Sequence, residues 1–274
     1  MRTILLHVED DASLDAPMQA ALSLARATGG HVTCLHATPV EAYVAFDSFG
    51  GVFVMERVLE ALAEREASLR ERVEERFHNA DVNWDFRQTT GSIPHALLSH
   101  AALADIIVCG RSGQGDKGRR ASLGRLGDII MKSRVPVLVP GTDGIAFDPF
   151  GKAVIGWNDS YEAANAVRAA LPLLKCAGSV DVIRIEEPAR EEADAFPSTR
   201  LLEYLSRHDI HAELTVDNAE AEYVGGALCA AAMDGEASYL VIGGYGHSRI
   251  SEYLFGGVTR AILESSPANV VIAH

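Results

Sequence analysis

The feature that most constrains this chain is that its order of elements is written twice. Setting Gly110 on Gly243 places Gly113 on Gly246, Gly124 on Gly257 and Val137-Leu138-Val139 on Val270-Val271-Ile272, without a gap. Each copy alternates short apolar runs with amphipathic stretches. In the first copy, Thr3 to Val8 reads as a strand. Met18, Ala21, Leu22, Leu24 and Ala25 then recur at helical spacing until Gly29-Gly30, and Val32 to Ala37 is the next strand. Strand, helix and strand within about 35 residues make a βαβ unit, which implies parallel strands and a right-handed crossover. A charged helix follows, with Met55, Leu59, Leu62, Leu69, Val73 and Phe77 as its apolar stripe. Val82 to Gln88 is a strand, Ile93 to Ala104 a helix and Asp105 to Cys109 a buried strand. Gly110 to Leu123 is a polar glycine-rich loop, Gly127 to Ser133 a helix and Pro136 to Val139 the closing strand.

Gly141 to Gly151 carries glycine, aspartate and proline with no period, and separates the copies. The order then restarts with strand Ala153 to Trp157, turn Asn158-Asp159-Ser160, helix Ala163 to Leu174 and strand Val180 to Ile185. A short helix Thr199 to Ser206, a strand His211 to Val216 and a helix Glu220 to Met233 come next. Strand Tyr239 to Gly243, a glycine loop with its helix, and strand Val270 to Ala273 complete the copy. The expected fold class is α/β: two tandem doubly wound five-stranded parallel sheets, over residues 1–141 and 151–274. Each half should carry its site at the C-terminal ends of its strands.

Length agrees with this division, since 274 residues suit two domains of roughly 100–150 each. With 48% apolar and 23% charged residues, each half can build a core. The net charge of −14 argues against nucleic acid and anionic membranes as partners, because both attract lysine and arginine. Cys34, Cys109, Cys176 and Cys229 show no C-x2-C spacing and read as small apolar residues in a reducing compartment. The apolar run after Met1 is too short for a signal peptide, and no window approaches a membrane span, so a cytoplasmic location is expected.

Function is most legible near the end of the chain. Tyr239 to Ile242 empties into a glycine-bearing loop, and Gly256-Gly257 opens a helix with Ile262 and Leu263 on one face. Strand, glycine loop and helix N-terminus together expose backbone N–H groups, which suits an anion such as phosphate. The spacing Gly243-x2-Gly246-x9-Gly256 resembles the nucleotide signature of the universal stress protein family, G-x2-G-x9-G followed by Ser or Thr. This chain has Gly257 in the last place, and Asn158 where the family's first turn carries aspartate.

The resemblance extends over essentially the whole chain and looks closer in the C-terminal half. It implies a Rossmann-like, adenine nucleotide α-hydrolase-like fold with strand order 3-2-1-4-5 and last strands paired edge to edge. The two halves would then form an intramolecular pseudo-dimer, with a homodimer as a further assembly. It also implies a stress-response regulatory protein binding ATP with Mg²⁺ through Asn158, the backbone near Ile185, Gly243, Gly246, His247, Gly256, Gly257 and Val258. A nucleotide-independent interaction module and a weak ATP hydrolase are the alternatives. No catalytic residue and no metal ligand is assigned.

The N-terminal half departs further from the signature. Leu123 stands in the place of the third glycine, and Glu9 follows the first strand. Arg111, Lys117, Arg119 and Arg120 read as a solvated cationic loop. Gly113-Gln-Gly115-Asp-Lys-Gly118 matches G-x-G-x-x-G but is expected not to open a helix directly. His7, His36 and Glu9 fall near neighbouring strand ends and read as buried histidines rather than a metal site. His247-Ser248 offers no oriented nucleophile. Tyr43, Phe46, Phe49 and Phe53 around Gly50-Gly51 read as an aromatic cover over the N-terminal half, with a lid or an apolar pocket as the other readings.

Overall fold

The computed structural model describes residues 1–11, 13–39, 52–111, 115–141, 145–186, 197–218, 224–244 and 257–274. The N-terminal half contains β1 (Thr3–His7), α1 (Asp15–Thr28), β2 (His31–Thr38), α2 (Val52–His78), β3 (Asn83–Thr90), α3 (Ile93–His100), β4 (Ile106–Val108), α4 (Gly115–Lys132) and β5 (Val137–Val139). The C-terminal half contains β6 (Lys152–Trp157), α5 (Tyr161–Leu174), β7 (Ser179–Glu186), α6 (Ser198–Ser206), β8 (Ala212–Asn218), α7 (Val224–Asp234), β9 (Tyr239–Gly243), α8 (Gly257–Ser265) and β10 (Asn269–Ala273).

Among the described residues the strands form one sheet, in the order β3-β2-β1-β4-β5-β10-β9-β6-β7-β8. Inside each half the strands are parallel and follow the order 3-2-1-4-5. The halves meet at an antiparallel ladder in which Val137, Leu138 and Val139 face Ile272, Val271 and Val270. Both five-stranded sheets expected from the sequence are therefore present, joined edge to edge. The pairing leaves neither last strand as an open edge.

Period-two alternation sends neighbouring strand residues to opposite faces. Ile4 and Leu6 join one core layer with α1, α2, α5 and α6 side chains, including Leu22, Phe77, Val167 and Leu205. Leu5 and Ile107 join the other layer with Leu97, Ile130, Leu228 and Leu263 from α3, α4, α7 and α8. Leu138 and Val271 lie in the first layer, Val139 and Ile272 in the second, so both cores run unbroken across the seam. Cys34 and Cys109 are buried among them, and burial pushes the Cys109 thiol up to about 12 and raises that of Cys34.

Helix ends follow their local chemistry. Gly29 closes α1 in the left-handed region at φ 60°, its N–H donating to the Ala25 carbonyl. Ser160 caps α5 by accepting from the Ala163 N–H at 3.1 Å. Between the halves, residues 145–151 are packed rather than loose. Phe147 is buried with its ring 5.5 Å from that of Tyr239, and the Asp148 N–H donates to Ser238 Oγ at 2.8 Å.

Three boundaries differ from the sequence reading. α4 starts at Gly115, so most of the expected Gly110 to Leu123 loop is helix. Leu123, Leu126, Ile129 and Ile130 bury one stripe there, and that packing overrides the low helix propensity of Gly118 and Gly124. The G-x-G-x-x-G match thus does run into a helix, although after the fourth strand of its half. The helix from Ile93 ends at His100 and tightens into a 3₁₀ turn, Ala101–Leu103. The aromatic stretch falls outside the described residues as far as Gly51, and Phe53 lies in the first turn of α2.

If the seam is what covers both last strands, residues 1–141 made alone should self-associate, because Val137 to Val139 then lose their partner. Sedimentation should show dimers or larger species, and a monodisperse monomer would count against the pairing.

Candidate functional site

In the C-terminal half, β7, β6 and β9 are adjacent and parallel, so their C-terminal ends bring Ile185, Asn158 and Gly243 to one end of the sheet. Helix α7 packs closely on β6, and α8 packs closely on α7. A Cβ on Gly156 would lie 3.3 Å from Leu228 Cδ1, and one on Gly225 would lie 3.1 Å from the Val258 carbonyl oxygen. Asn158 is exposed, and its Oδ1 accepts from Ser160 Oγ at 2.7 Å. The Ile185 side chain is buried in the α7/α8 core layer, which leaves its backbone as the part able to meet a ligand. Gly257 is the exposed first residue of α8, and a Cβ there would meet nothing within 4 Å. Gly246, His247 and Gly256 lie outside the described residues, as do Ser248 and Arg249.

Gly243 has a different explanation from the one its motif position offers. A Cβ there would stand 2.5 Å from both the Ala163 nitrogen and the Glu162 carbonyl carbon. The first turn of α5 therefore passes directly over the end of β9, and only glycine permits it. Gly110 has the same role in the first half, where a Cβ would stand 2.9 Å from Pro17 Cγ in α1. The glycine at this place of the repeat is a packing requirement in both halves.

The N-terminal counterpart of the site is filled. Arg125 occupies the repeat position of Val258, and its Nη2 lies 3.2 Å and 3.3 Å from the two Glu9 carboxylate oxygens. Near this ion pair His7, Glu9, Asp11, Ser13, Leu14, Pro17 and Gly110 line a small cleft of about 10 Å³, room for one water at most. His7 Nε2 and Asp11 Oδ2 are buried without a hydrogen-bond partner there. Burial, with smaller contributions from the nearby Arg125 and His36, pushes the His7 pKa down from 6.5 to about 3. His36 Nδ1 bonds to the Val8 carbonyl at 3.0 Å, and no group of three metal-binding side chains occurs among the described residues.

Arg111 corrects the reading of a solvated basic loop. Its side chain is largely buried, Nη1 donates to the Ser266 carbonyl at 3.1 Å, and burial pulls its pKa down to about 10. Arg120 is exposed as expected, though on α4 rather than in a loop. Sequence reasoning also missed Asp159. Its carboxylate accepts from Trp157 Nε1 at 2.7 Å and pairs with Arg184 Nη2 at 2.9 Å, on a left-handed backbone of φ 57°. The signal available was an aspartate in a short strand-to-helix turn, where Asp tolerates positive φ. A larger groove of about 420 Å³, lined by Arg26, His78, Asn83 and Trp84 among others, lies where β3 begins, away from the glycine-bearing strand ends.

The described residues thus form a doubly wound parallel α/β unit, duplicated and joined edge to edge. The sequence model of the universal stress protein family matches residues 1–139, just over half of the chain, and the protein belongs to that family. The match falls on the N-terminal half, whereas the motif glycines suggested closer likeness in the C-terminal one. A universal stress protein from Archaeoglobus fulgidus DSM 4304 is similar in fold, with TM-score 0.76 and 15% identity over 99% of this chain and 96% of that one. A putative universal stress protein from Pseudomonas aeruginosa UCBPP-PA14 is similar at TM-score 0.59 and 16% identity, covering 100% of this chain and 93% of its own. No curated protein sequence matches significantly. No helix among the described residues is long and apolar enough to cross a membrane.

Two expectations follow. His7 titrates below its unfolded pKa, so the stability held by the neutral ring is fully present above pH 6.5 and is lost as pH falls toward 3. Thermal melts across that window should show a slope of up to about 1.4 kcal/mol per pH unit that His7→Leu removes, and parallel profiles for the two proteins would refute it. Gly243→Ala should cost about 1–3 kcal/mol or more in urea denaturation by overpacking against α5. Gly257→Ala should stay within about 0.5 kcal/mol of wild type, and equal costs at the two sites would rule out the close approach.

Proposed function

We infer that this universal stress protein binds an adenine nucleotide, ATP with Mg²⁺, in its C-terminal half, and acts as a regulatory binding protein rather than a dedicated enzyme. The observation that carries the reading is the difference between the two mouths. At the N-terminal one Arg125 pairs with Glu9 beside a cleft of only about 10 Å³. At the same repeat positions the C-terminal half has Val258 and Asn158, which cannot form an ion pair. Asn158 and the backbone near Ile185 would meet the adenosine side. Gly243, Gly246, His247, Gly256, Gly257 and Val258 would line the phosphates, with backbone N–H groups and the α8 dipole as the attraction.

A second reading, an interaction module that needs no nucleotide, is favoured by Gly257. The family motif has a hydroxyl there, and a hydrogen bond from it to a charged phosphate would contribute roughly 1–3 kcal/mol. The acidic run after β7, with Glu187, Glu191, Glu192 and Asp194, also repels polyphosphate unless Mg²⁺ intervenes. Weak hydrolysis of bound ATP is a third reading, with no positioned base among the described residues to support it.

Titration calorimetry with Mg-ATP separates the first two readings, together with analysis of nucleotide released on denaturing fresh protein. Binding that Gly257→Ser tightens about threefold to thirtyfold, roughly 0.7–2 kcal/mol, supports the phosphate cradle. The space around Gly257 is open enough for the added side chain. Absence of both binding and released nucleotide would leave the interaction module as the reading.

A further inference from the structure

The nucleotide reading gives no role to the residue between Asn158 and Ser160, yet the geometry there is highly determined. Asp159 has φ 57°, a region that glycine would occupy without strain, and its side chain is almost fully buried. One carboxylate oxygen accepts from Trp157 Nε1 at 2.7 Å, and the other meets Arg184 Nη2 at 2.9 Å. Trp157 pairs with Arg184 in the β6–β7 register, and Ile185 follows Arg184 directly. A glycine would serve the turn alone. An aspartate adds a charged link from the end of β6 to the end of β7, the two strand ends assigned to the adenosine side.

On its other flank the same turn is locked by Ser160. Its Oγ donates to Asn158 Oδ1 at 2.7 Å and accepts from the Ala163 N–H at 3.1 Å. Asn158 is thus the exposed apex of a turn held on both sides, by Asp159 toward β7 and by Ser160 toward α5. The N-terminal half has no such link at the same place. There Asp10 pairs with Arg72 of α2 at 3.1 Å, both side chains roughly half exposed, and His36 of β2 bonds instead to the Val8 carbonyl. Among the described residues the clamp occurs in the half that has Val258 and Asn158, not in the half whose strand ends carry the Arg125–Glu9 ion pair.

We propose that Asp159 is a positioning residue for nucleotide recognition, holding Asn158 and the Ile185 backbone in one fixed relation through its bond to Arg184. The proposal rests on the reading of the C-terminal half as an adenine-nucleotide site. Carboxylate–guanidinium contacts are directional, so the pair, buried on its Asp159 side, sets the angle between two loops as well as their separation. Asp159→Asn keeps an acceptor for Trp157 and tolerates the left-handed backbone, while removing the charge that Arg184 faces.

The test is Mg-ATP calorimetry on the full chain, with thermal melts alongside. Asp159→Asn should weaken binding about threefold to thirtyfold, and Arg184→Gln should weaken it by a similar factor. The double variant should be no weaker than either single one. Asp159 acts in part through Asn158, so in an Asn158→Ala background Asp159→Asn should weaken binding by a clearly smaller factor, the remainder coming through the Ile185 backbone. A merely structural role would not produce that epistasis. Arg184→Gln serves in its place if Asp159→Asn fails to fold. Wild-type affinity in both variants, or the same weakening with Asn158 absent, overturns the proposal alone. No Mg-ATP binding by the wild type overturns the nucleotide reading and this proposal with it.

Discussion

The antiparallel ladder between β5 and β10 is the constraint on which the rest of the molecule depends. It joins two parallel sheets whose strands run in opposite directions, so the C-terminal ends of the two halves face opposite ends of one sheet. No single ligand can be shared between the mouths. What the seam does share is the base of one half with the mouth side of the other. Arg111 leaves the end of β4 and reaches Ser266, just past α8. Its Nε and Nη2 are buried without a hydrogen-bond partner. A cation at a helix C-terminus is favoured by the dipole, but desolvation opposes it, and the lowered pKa reflects that opposition. Below the seam the Gly141 N–H donates to Asn269 Oδ1 at 3.1 Å, and Asn269 Nδ2 donates to the Ser238 carbonyl at 2.7 Å. The chain is thereby fastened where it crosses from one half to the other.

The two copies have stayed alike at matching junctions between helix and strand. Ser133 Oγ donates to the Val135 carbonyl, and at the matching place Ser266 Oγ donates to that of Ala268. Gly110 and Gly243 each admit a first helical turn. They differ where side chains face the strand ends: Glu9 against Asn158, Asp10 against Asp159, Arg125 against Val258. A backbone approach tolerates one residue type, whereas a mouth tolerates whatever leaves the sheet intact. Duplication followed by divergence at the mouths alone would give this pattern.

That distinction also explains what could be read from the sequence. Parallel pairing and the repeat register follow from apolar periodicity and glycine spacing, which are local and survive in one dimension, whereas the strand order came only from the family resemblance. The course of α4 was not legible, because Gly115, Gly118 and Gly124 argue against a helix that only the packing of Leu126 and Ile130 can justify. Arg111 read as a loop cation because nothing in the sequence says that β10 begins beside it. Asp159 read as one more turn residue, since its worth depends on Arg184, a neighbour only through the parallel register of β6 and β7. Of the candidate site, Asn158, Ile185, Gly243, Gly257 and Val258 fall among the described residues. Gly243 is there for α5, so its presence in the motif is weaker support for a ligand than the spacing suggested.

Family likeness and ligand capacity therefore separate within this one chain. The family model matches residues 1–139, the half in which an ion pair and a buried histidine occupy the mouth. Fold similarity of this kind reports the core, and function has to be argued from the site. For the C-terminal site the electrostatics are demanding. The protein carries −14 overall, and Arg260, near the start of α8, is turned to Glu264 at 2.7 Å. Among the described residues attraction for phosphate would come from backbone N–H groups and the dipole of α8, worth roughly 0.3–1 kcal/mol per charge where exposed, with Arg249 of the loop lying outside them. A bridging divalent cation would have to supply the remainder, because it offsets both the phosphate charge and the acidic run after β7. Affinity in this half should accordingly depend steeply on Mg²⁺.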